Sequence, residues 1–470
     1  MLPSGCPWTG TAPWGASDPI VRFAPLLALV TCTTCGVVVA PAAVALGREP
    51  EMRVLLQEGT PVSLRADGDQ WLQVEGLSGG SQRLRRLTLR LDAKDLVVER
   101  DGRRAVLPAH TLLWVSNQDP RGIWLGQRRY RGVLQISGRG GTLRVINRLG
   151  VESYLASVVG SEMPHQWPLA ALKAQAVAAR TYALRQRNKA AGWDVKATVA
   201  SQVYTGVESE TPSTLKAVAS TRSLVLVHGG KLINAVFHSS AGGATEASGM
   251  VWRYQLPYLV SVPDHDQHSP LHRWQQRFDR DGLRQQLPET GGVDAVQVLS
   301  RTQSGRVKQA RVQGPRGSLV LSGADLRRRL GLKSTLVQFE MVEAMTASEP
   351  APTLKASSRS AGLSRLDRLT AAVAGAPPSR HFLVTPPPPL LGSQPRRRRP
   401  IPGLQLLVRG QGHGHGVGMS QWGAHGLAQR GADFRAILRH YYRGAQITPF
   451  QPFHDPSLAR MAPSAPRWRG

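Results

Sequence analysis

The chain has 470 residues, 41% of them hydrophobic and 19% charged, enough for a large folded core and roughly two to three domains. Its 59 Lys and Arg against 31 Asp and Glu leave a formal charge of +28, which points to an anionic partner. Cys6, Cys32 and Cys35 all precede residue 40, which excludes disulfides and thiolate metal sites from the body of the protein.

The first element is a targeting signal. Arg22 is followed by an apolar run and then by Ala43-Val44-Ala45, so residues 1–45 read as an export signal cleaved after Ala45, with an uncleaved membrane anchor as the second reading. Cys32-Thr-Thr-Cys35 has redox spacing but sits inside this run and not in a βαβ pattern. Export places the protein in the periplasm or cell envelope. It removes nucleic acid as a natural partner and leaves envelope polymers, with membrane contact only through the N-terminal segment.

Residues 46–147 alternate apolar and polar side chains in short runs such as "MRVLLQEG", "RLTLRL" and "TLRVINR", separated by Gly, Asp and Asn turns. This is a β-rich region. A short helix is expected from Val151 to Val159, and "PLAALKAQAVAARTYALRQRNKA" is the strongest helix, with Pro168 at its start and Gly192 ending it. "VYTGV", "SLVLVH", "LINAVFHSS" and "PYLVSVPD" read as strands, with a hairpin turn at Gly229 and Gly230. Residues 274–341 mix helix and strand. Residues 347–402, with "PPPP" and "RRRR", read as a disordered basic insertion. Order resumes at residue 403, where "AHGLAQRGADFRAILRHYYRG" is one helix, and residues 451–470 are a loose tail. The fold class is α+β, with a mixed helix and strand core at 148–346 completed by 403–450.

Glu162 is the main candidate for chemistry. Placed in a loop between the two helices and surrounded by Met163, Pro164, Trp167 and Pro168, its carboxyl loses hydration and its pKa rises. The N-terminus of the following helix opposes that rise. A raised carboxylic acid can protonate a leaving group at neutral pH, whereas a capping or first-turn role is the bland alternative. A Ser240–His238 nucleophile pair is disfavoured, because side chains two apart on a strand point the same way.

"YLASVVGSEMP", "WPLAALKAQAVAARTYAL", "SQVYTGV", "VFHSSAGGATE", "PYLVSV" and "GQGHGHGVGMSQWGAHGLAQRGADFRAILRHYYRG" follow one another in this order. Together they resemble the SpoIID/LytB family of stage II sporulation protein D and the amidase enhancers, over roughly residues 52–447. The resemblance implies a peptidoglycan-directed role. In one form it is a lytic transglycosylase that cleaves the MurNAc–GlcNAc linkage with Glu162 as general acid. In the other it is a non-catalytic glycan binder that enhances a cell-wall amidase. A lytic transglycosylase manages with one carboxylate, because the sugar's own 6-hydroxyl closes a 1,6-anhydro ring, whereas an ordinary glycosidase needs two.

Arg180 matches the family's "ART" motif with an active-site role, but it lies about 18 Å along its helix from Pro168. Lys173, Gln175, Gln202, Tyr204, Ser239, Ser240 and Glu246 are expected to line the glycan groove, and Glu246 competes with Glu162 for the acid role. In "GQGHGHGVGMSQWGAHG" the glycines form a backbone-rich wall, with His415, Ser420, Gln421 and Trp422 supplying hydrogen bonds and an aromatic face toward Glu162. No cofactor is expected. Some family members bind zinc through His and Cys. This chain offers His238 without a later Cys, and a Cys-free alternative in Asp264, His265, Asp266, His268 and His272.

Overall fold

The computed structural model describes residues 49–187, 192–343, 404–451 and 454. The expected export signal and the expected basic insertion therefore fall outside the described residues.

The α+β expectation holds. The alternating segments form two antiparallel-rich sheets, because each strand keeps one apolar face. Val62 and Leu64, Leu87 and Leu89, and Leu96 and Val98 all point inward. One sheet has seven strands, in the order Val195–Lys196, Glu51–Glu58, Thr142–Gly150, Val133–Arg139, Leu112–Ser116, Leu72–Glu75 and Gln82–Leu84. The other has six, in the order Arg128–Tyr130, Ile123–Leu125, Val62–Arg65, Arg86–Asp92, Asp95–Arg100 and Arg103–Pro108.

The Thr142–Gly150 strand runs straight into helix α1, Val151–Glu162. Glu49 caps that helix from outside, with its carboxylate 2.7 Å from the Glu152 amide. Helix α2, Leu169–Gln186, is buried on most of its circumference. Its alanines at 174, 176, 178, 179 and 183 are fully buried and let α1, helix α3 (Pro212–Ser220) and the C-terminal helices come close. The β-rich region and these helices share one hydrophobic core. The division between residues 46–147 and the following core is thus a change of secondary structure within a common interior.

A second core lies elsewhere, in residues 273–343 together with the strand Leu404–Gln411. That strand pairs with Arg273–Phe278 on one side and Val337–Glu343 on the other. A three-stranded meander, Ala295–Arg301, Val307–Gly314 and Gly317–Ser322, packs beside it.

Several expected elements differ. The hairpin at Gly229 and Gly230 is present, with Val227 opposite Leu232. "VYTGV" is not a strand but an irregular segment leading into a 3-10 turn at Val207–Ser209. "PYLVSVPD" makes only an isolated bridge, Ala244 to Pro263. The C-terminal helix is two helices, Gln421–Gln429 and Phe434–Tyr441. Gly431 takes φ +89° between them, and the Asp433 carboxylate accepts from the Ala436 amide at 2.7 Å to start the second.

Candidate functional site

Glu162 is the last residue of α1 and not a loop residue. This position matters for its charge, since the negative end of a helix dipole disfavours a carboxylate where the start of a helix would favour it. The side chain is half-buried. Burial pushes its pKa up, and two donors partly offset that rise, the Val203 amide to Oε1 at 2.8 Å and the Gln421 amide group to Oε2 at 3.1 Å.

Val203 is placed by the "SQVYTG" motif, which proves to be a strap around α1. Gln202 accepts from the Tyr154 hydroxyl at 3.0 Å and donates to the Ala179 carbonyl at 3.2 Å. The Tyr204 hydroxyl donates to Asn147 at 2.8 Å, and the Gly206 amide donates to Ser157 at 3.0 Å. Gln202 and Tyr204 are buried and committed to these bonds, so they are not sugar contacts but the anchors that aim Val203 at Glu162.

Gln421 arrives from 259 residues away. After the Leu404–Gln411 strand the chain crosses the "FHSSAGG" segment as bare backbone. The His413 amide donates to the Ser240 carbonyl at 2.7 Å, the Glu246 amide donates to the Gly416 carbonyl at 2.7 Å, and Met419–Ser420 pairs in parallel with Phe237–His238. Gly414 and Gly416 take φ of +117° and +82°, and any β-carbon there would press on His238 or on the Arg306 guanidinium. The helix starting at Gln421 then places Trp422 beside Trp167, ring centroids 4.7 Å apart in an edge contact, with His425 against both. The wall therefore faces Glu162 as expected, through Gln421 and with Trp422 half-exposed beside it.

Other expected contacts are spent on structure. Ser420 is fully buried and caps the following helix, accepting from the Gly423 amide at 3.1 Å. His415 has both nitrogens engaged, Nε2 donating to the Phe237 carbonyl and Nδ1 accepting from the Val417 amide. Burial takes its pKa down to about 4, so it is a neutral brace. Ser240 donates its hydroxyl to Asp266, which also accepts from the Gly242 and Gly243 amides and from His272, and this ends the Ser240–His238 nucleophile reading. Glu246 is fully buried, accepting from Ser304 at 2.6 Å and from the Ala247 amide at 3.0 Å. It cannot replace Glu162 at an exposed bond. Gln175 is buried with no hydrogen-bond partner among the described residues, while Lys173 and Ser239 are half-buried.

Arg180 needs the largest correction. It is 0% exposed and forms a bidentate pair with Glu152, at 2.9 and 2.6 Å, and it also donates to the Leu224 and Val218 carbonyls. Glu152 is in the first turn of α1 and Glu162 is its last residue, about 15 Å away at helical rise. Arg180 is therefore a tie between α1, α2 and the end of α3, remote from Glu162.

Among the described residues no three or more His, Cys, Asp or Glu are grouped so as to hold a metal ion, and most of the candidate ligands have other partners. His238 donates from Nδ1 to the Val417 carbonyl and leaves a buried, unpartnered Nε2, but its ring neighbour His415 has no lone pair to add. In the polar loop, Asp264 accepts from the Tyr441 hydroxyl at 2.6 Å, Asp266 is saturated as described, and His265 meets Arg430. Arg306, which sequence reasoning missed, is fully buried beneath Gly416 and donates to the Ala241 carbonyl at 2.7 Å. It fastens the second core to the glycine-rich wall, and burial brings its pKa down to about 10.

Residues 139–228 match the SpoIID family model, described as stage II sporulation protein. The chain is 31% identical over 320 residues to the amidase enhancer of Bacillus subtilis, covering 63% of this chain and 40% of that protein. It is 28% identical over 335 residues to stage II sporulation protein D of Bacillus amyloliquefaciens, covering 67% and 79%. Residues 139–228 thus carry a SpoIID domain, and the chain is similar to stage II sporulation protein D and amidase enhancer proteins beyond it. An uncharacterized protein of Brachyspira hyodysenteriae is 29% identical over 333 residues, covering 70% of this chain and 75% of that protein. The segment matched by the family model carries Glu162, its Val203 donor and the Arg180–Glu152 tie, but ends before the glycine-rich wall.

Two stability predictions arise from this geometry. A glycine inside a helix ordinarily gains stability on replacement by alanine. At Gly423 the sign reverses, because a β-carbon would overlap the Asp264 carboxylate and the Tyr441 hydroxyl. Gly423→Ala is expected to cost about 1–3 kcal/mol in chemical denaturation. Glu162→Gln is expected to act in the other direction. With its folded pKa raised, Glu162 holds its proton longer in the folded state, so stability falls as pH rises from the ordinary glutamate value through the raised one. The amide removes that loss, so the variant is expected to be more stable than the parent at neutral pH and no more stable at pH 4, read by thermal unfolding at both.

Proposed function

We propose that the chain is an exported cell-wall protein that acts on peptidoglycan as a lytic transglycosylase, with Glu162 as its single catalytic group. The observation that carries this reading is the state of that carboxyl. Burial and a helix C-terminus favour its proton, and two N–H donors from distant segments hold its oxygens in place. Glu162 protonates the oxygen of the MurNAc–GlcNAc bond as it breaks. The resulting carboxylate, stabilised by the Val203 and Gln421 donors, takes the proton of the MurNAc 6-hydroxyl as that oxygen closes the 1,6-anhydro ring. No water enters the product and no second carboxylate is needed, which suits a site where Glu246 is sealed away.

A second reading is favoured by the likeness to a protein named amidase enhancer. Here the same groove binds glycan and stimulates a partner amidase without cutting. Product analysis separates the two. Glycan strands stripped of stem peptides are incubated with the protein and their ends examined by mass spectrometry. Accumulation of 1,6-anhydro-MurNAc ends supports the enzyme. Glycan binding without anhydro ends, together with faster turnover by an added cell-wall amidase, supports the enhancer.

A further inference from the structure

The turn at residues 248–254 displays an unusual concentration of apolar surface. Met250 is 47% exposed, Val251 36%, Trp252 38% and Tyr254 65%. Monomeric proteins seldom gather large apolar side chains in one exposed patch without a use for them. The display is not a product of looseness. Ser248 holds the turn with three bonds, its amide to the Leu259 carbonyl at 3.0 Å and its hydroxyl to the Tyr254 carbonyl and the Leu256 amide at 3.2 and 2.8 Å. Gln255 adds bonds to the Gly249 amide and to the Leu256 and Leu259 carbonyls.

The patch is also joined to the site. The Trp252 ring lies 5.3 Å from that of His415, which lies 5.3 Å from that of His238. His238 pairs with Ser420, the residue before the Gln421 that holds Glu162. Trp422, whose amide bonds the Ser239 carbonyl at 2.9 Å, and His415, against the Trp252 ring, are both half-buried members of this run of contacts. Beyond Trp252, the Arg253 guanidinium lies 5.2 Å from the centre of the Tyr254 ring.

We propose that Trp252, Arg253 and Tyr254 form an outer subsite for the glycan strand, a proposal that rests on the glycan-directed reading above. The two rings stack on the apolar faces of amino sugars well away from the bond being cut, and Arg253 meets a carboxylate carried by the strand. Such a subsite makes the protein prefer long strands over short ones. A protein partner on the same patch is the competing occupant.

The test measures binding of peptide-free glycan strands, a tetrasaccharide and a long-chain fraction, to the Glu162→Gln protein, which removes turnover. The same measurement is made with Trp252→Ala and Tyr254→Ala added. An unfolding midpoint measured alongside shows that the variant is folded, since Trp252 also packs on His415. The expected result is that long strands bind Glu162→Gln more tightly than the tetrasaccharide, and that the added changes weaken long-strand binding about tenfold while leaving the tetrasaccharide unaffected. Equal long-strand affinity in the two proteins overturns the subsite, as does an affinity that does not grow with length. Unchanged glycan binding with loss of self-association in sedimentation assigns the patch to a protein interface and also overturns it. If the parent protein binds no strand of any length, it is the glycan-directed reading itself that fails.

Discussion

Arg180→Ala is expected to destabilise the protein by about 3–5 kcal/mol, because it strands the Glu152 carboxylate in the interior. The loss goes beyond the ion pair. The Leu224 and Val218 carbonyls lose their donor, and Glu152 is left with the Ser223 amide as its remaining interior partner besides water. The pair crosses from α1 to α2 and reaches α3 and the Leu224–His228 strand, so its loss loosens the junction on which the Glu162 end of α1 depends. A double variant, Arg180→Met with Glu152→Leu, restores apolar volume without leaving a lone charge. It is expected to lose less than the sum of the single changes, with a coupling of about 1–3 kcal/mol in urea unfolding. Two outcomes distinguish this from an active-site role. A folded double variant that retains its product-forming rate shows a structural tie. One that is stable yet inactive shows that the guanidinium is needed at the reacting bond.

The contrast between Arg180 and Glu162 shows how far sequence reasoning reached. Both residues stand in family motifs, and helical rise alone placed Arg180 far from the start of its helix. What sequence could not provide was its partner. Glu152 is 28 residues earlier and one of many surface-looking acids until α1 and α2 are packed together. The β ladders were legible because a half-buried strand must alternate, and Val62 to Leu64 or Leu87 to Leu89 do so. "VYTGV" has the same β-branched and aromatic composition, but it spends its backbone and side chains strapping α1, and tertiary bonds override strand propensity there. The C-terminal helix pair carried its own break signal in Gly431 and Asp433, which the continuous apolar pattern obscured. The second core and Arg306 depend on contacts between segments more than 60 residues apart, which periodicity does not report. The hydroxyls of Ser240 and Ser420 suited sugar recognition by type, yet burial assigned both to the interior. Of the expected polar wall, Gln421 alone has its side chain bonded to Glu162.

That bond gives the second large effect. Glu162→Gln keeps the shape and the capacity to accept from Val203 but cannot give up a proton, so anhydro-product formation is expected to fall by about 10²–10⁴-fold with glycan binding retained. Gln421→Ala separates the chemistry from the fold more finely. The Gln421 amide donates to the carboxylate and so favours its charged form. Without it the pKa of Glu162 rises further above the ordinary glutamate range. On the lytic-transglycosylase reading, the basic limb of the pH–rate profile, where Glu162 loses the proton it must donate, then moves to higher pH; the carboxylate that takes the 6-hydroxyl proton is generated by that donation, so Glu162 contributes no acidic limb. At low pH, where both proteins hold the proton, the variant is slower because the carboxylate that forms has lost a donor, and at high pH the gap narrows as the acid form persists. A uniform loss at every pH, with no displacement of the basic limb, would show that Gln421 touches the sugar and leaves the acid untuned.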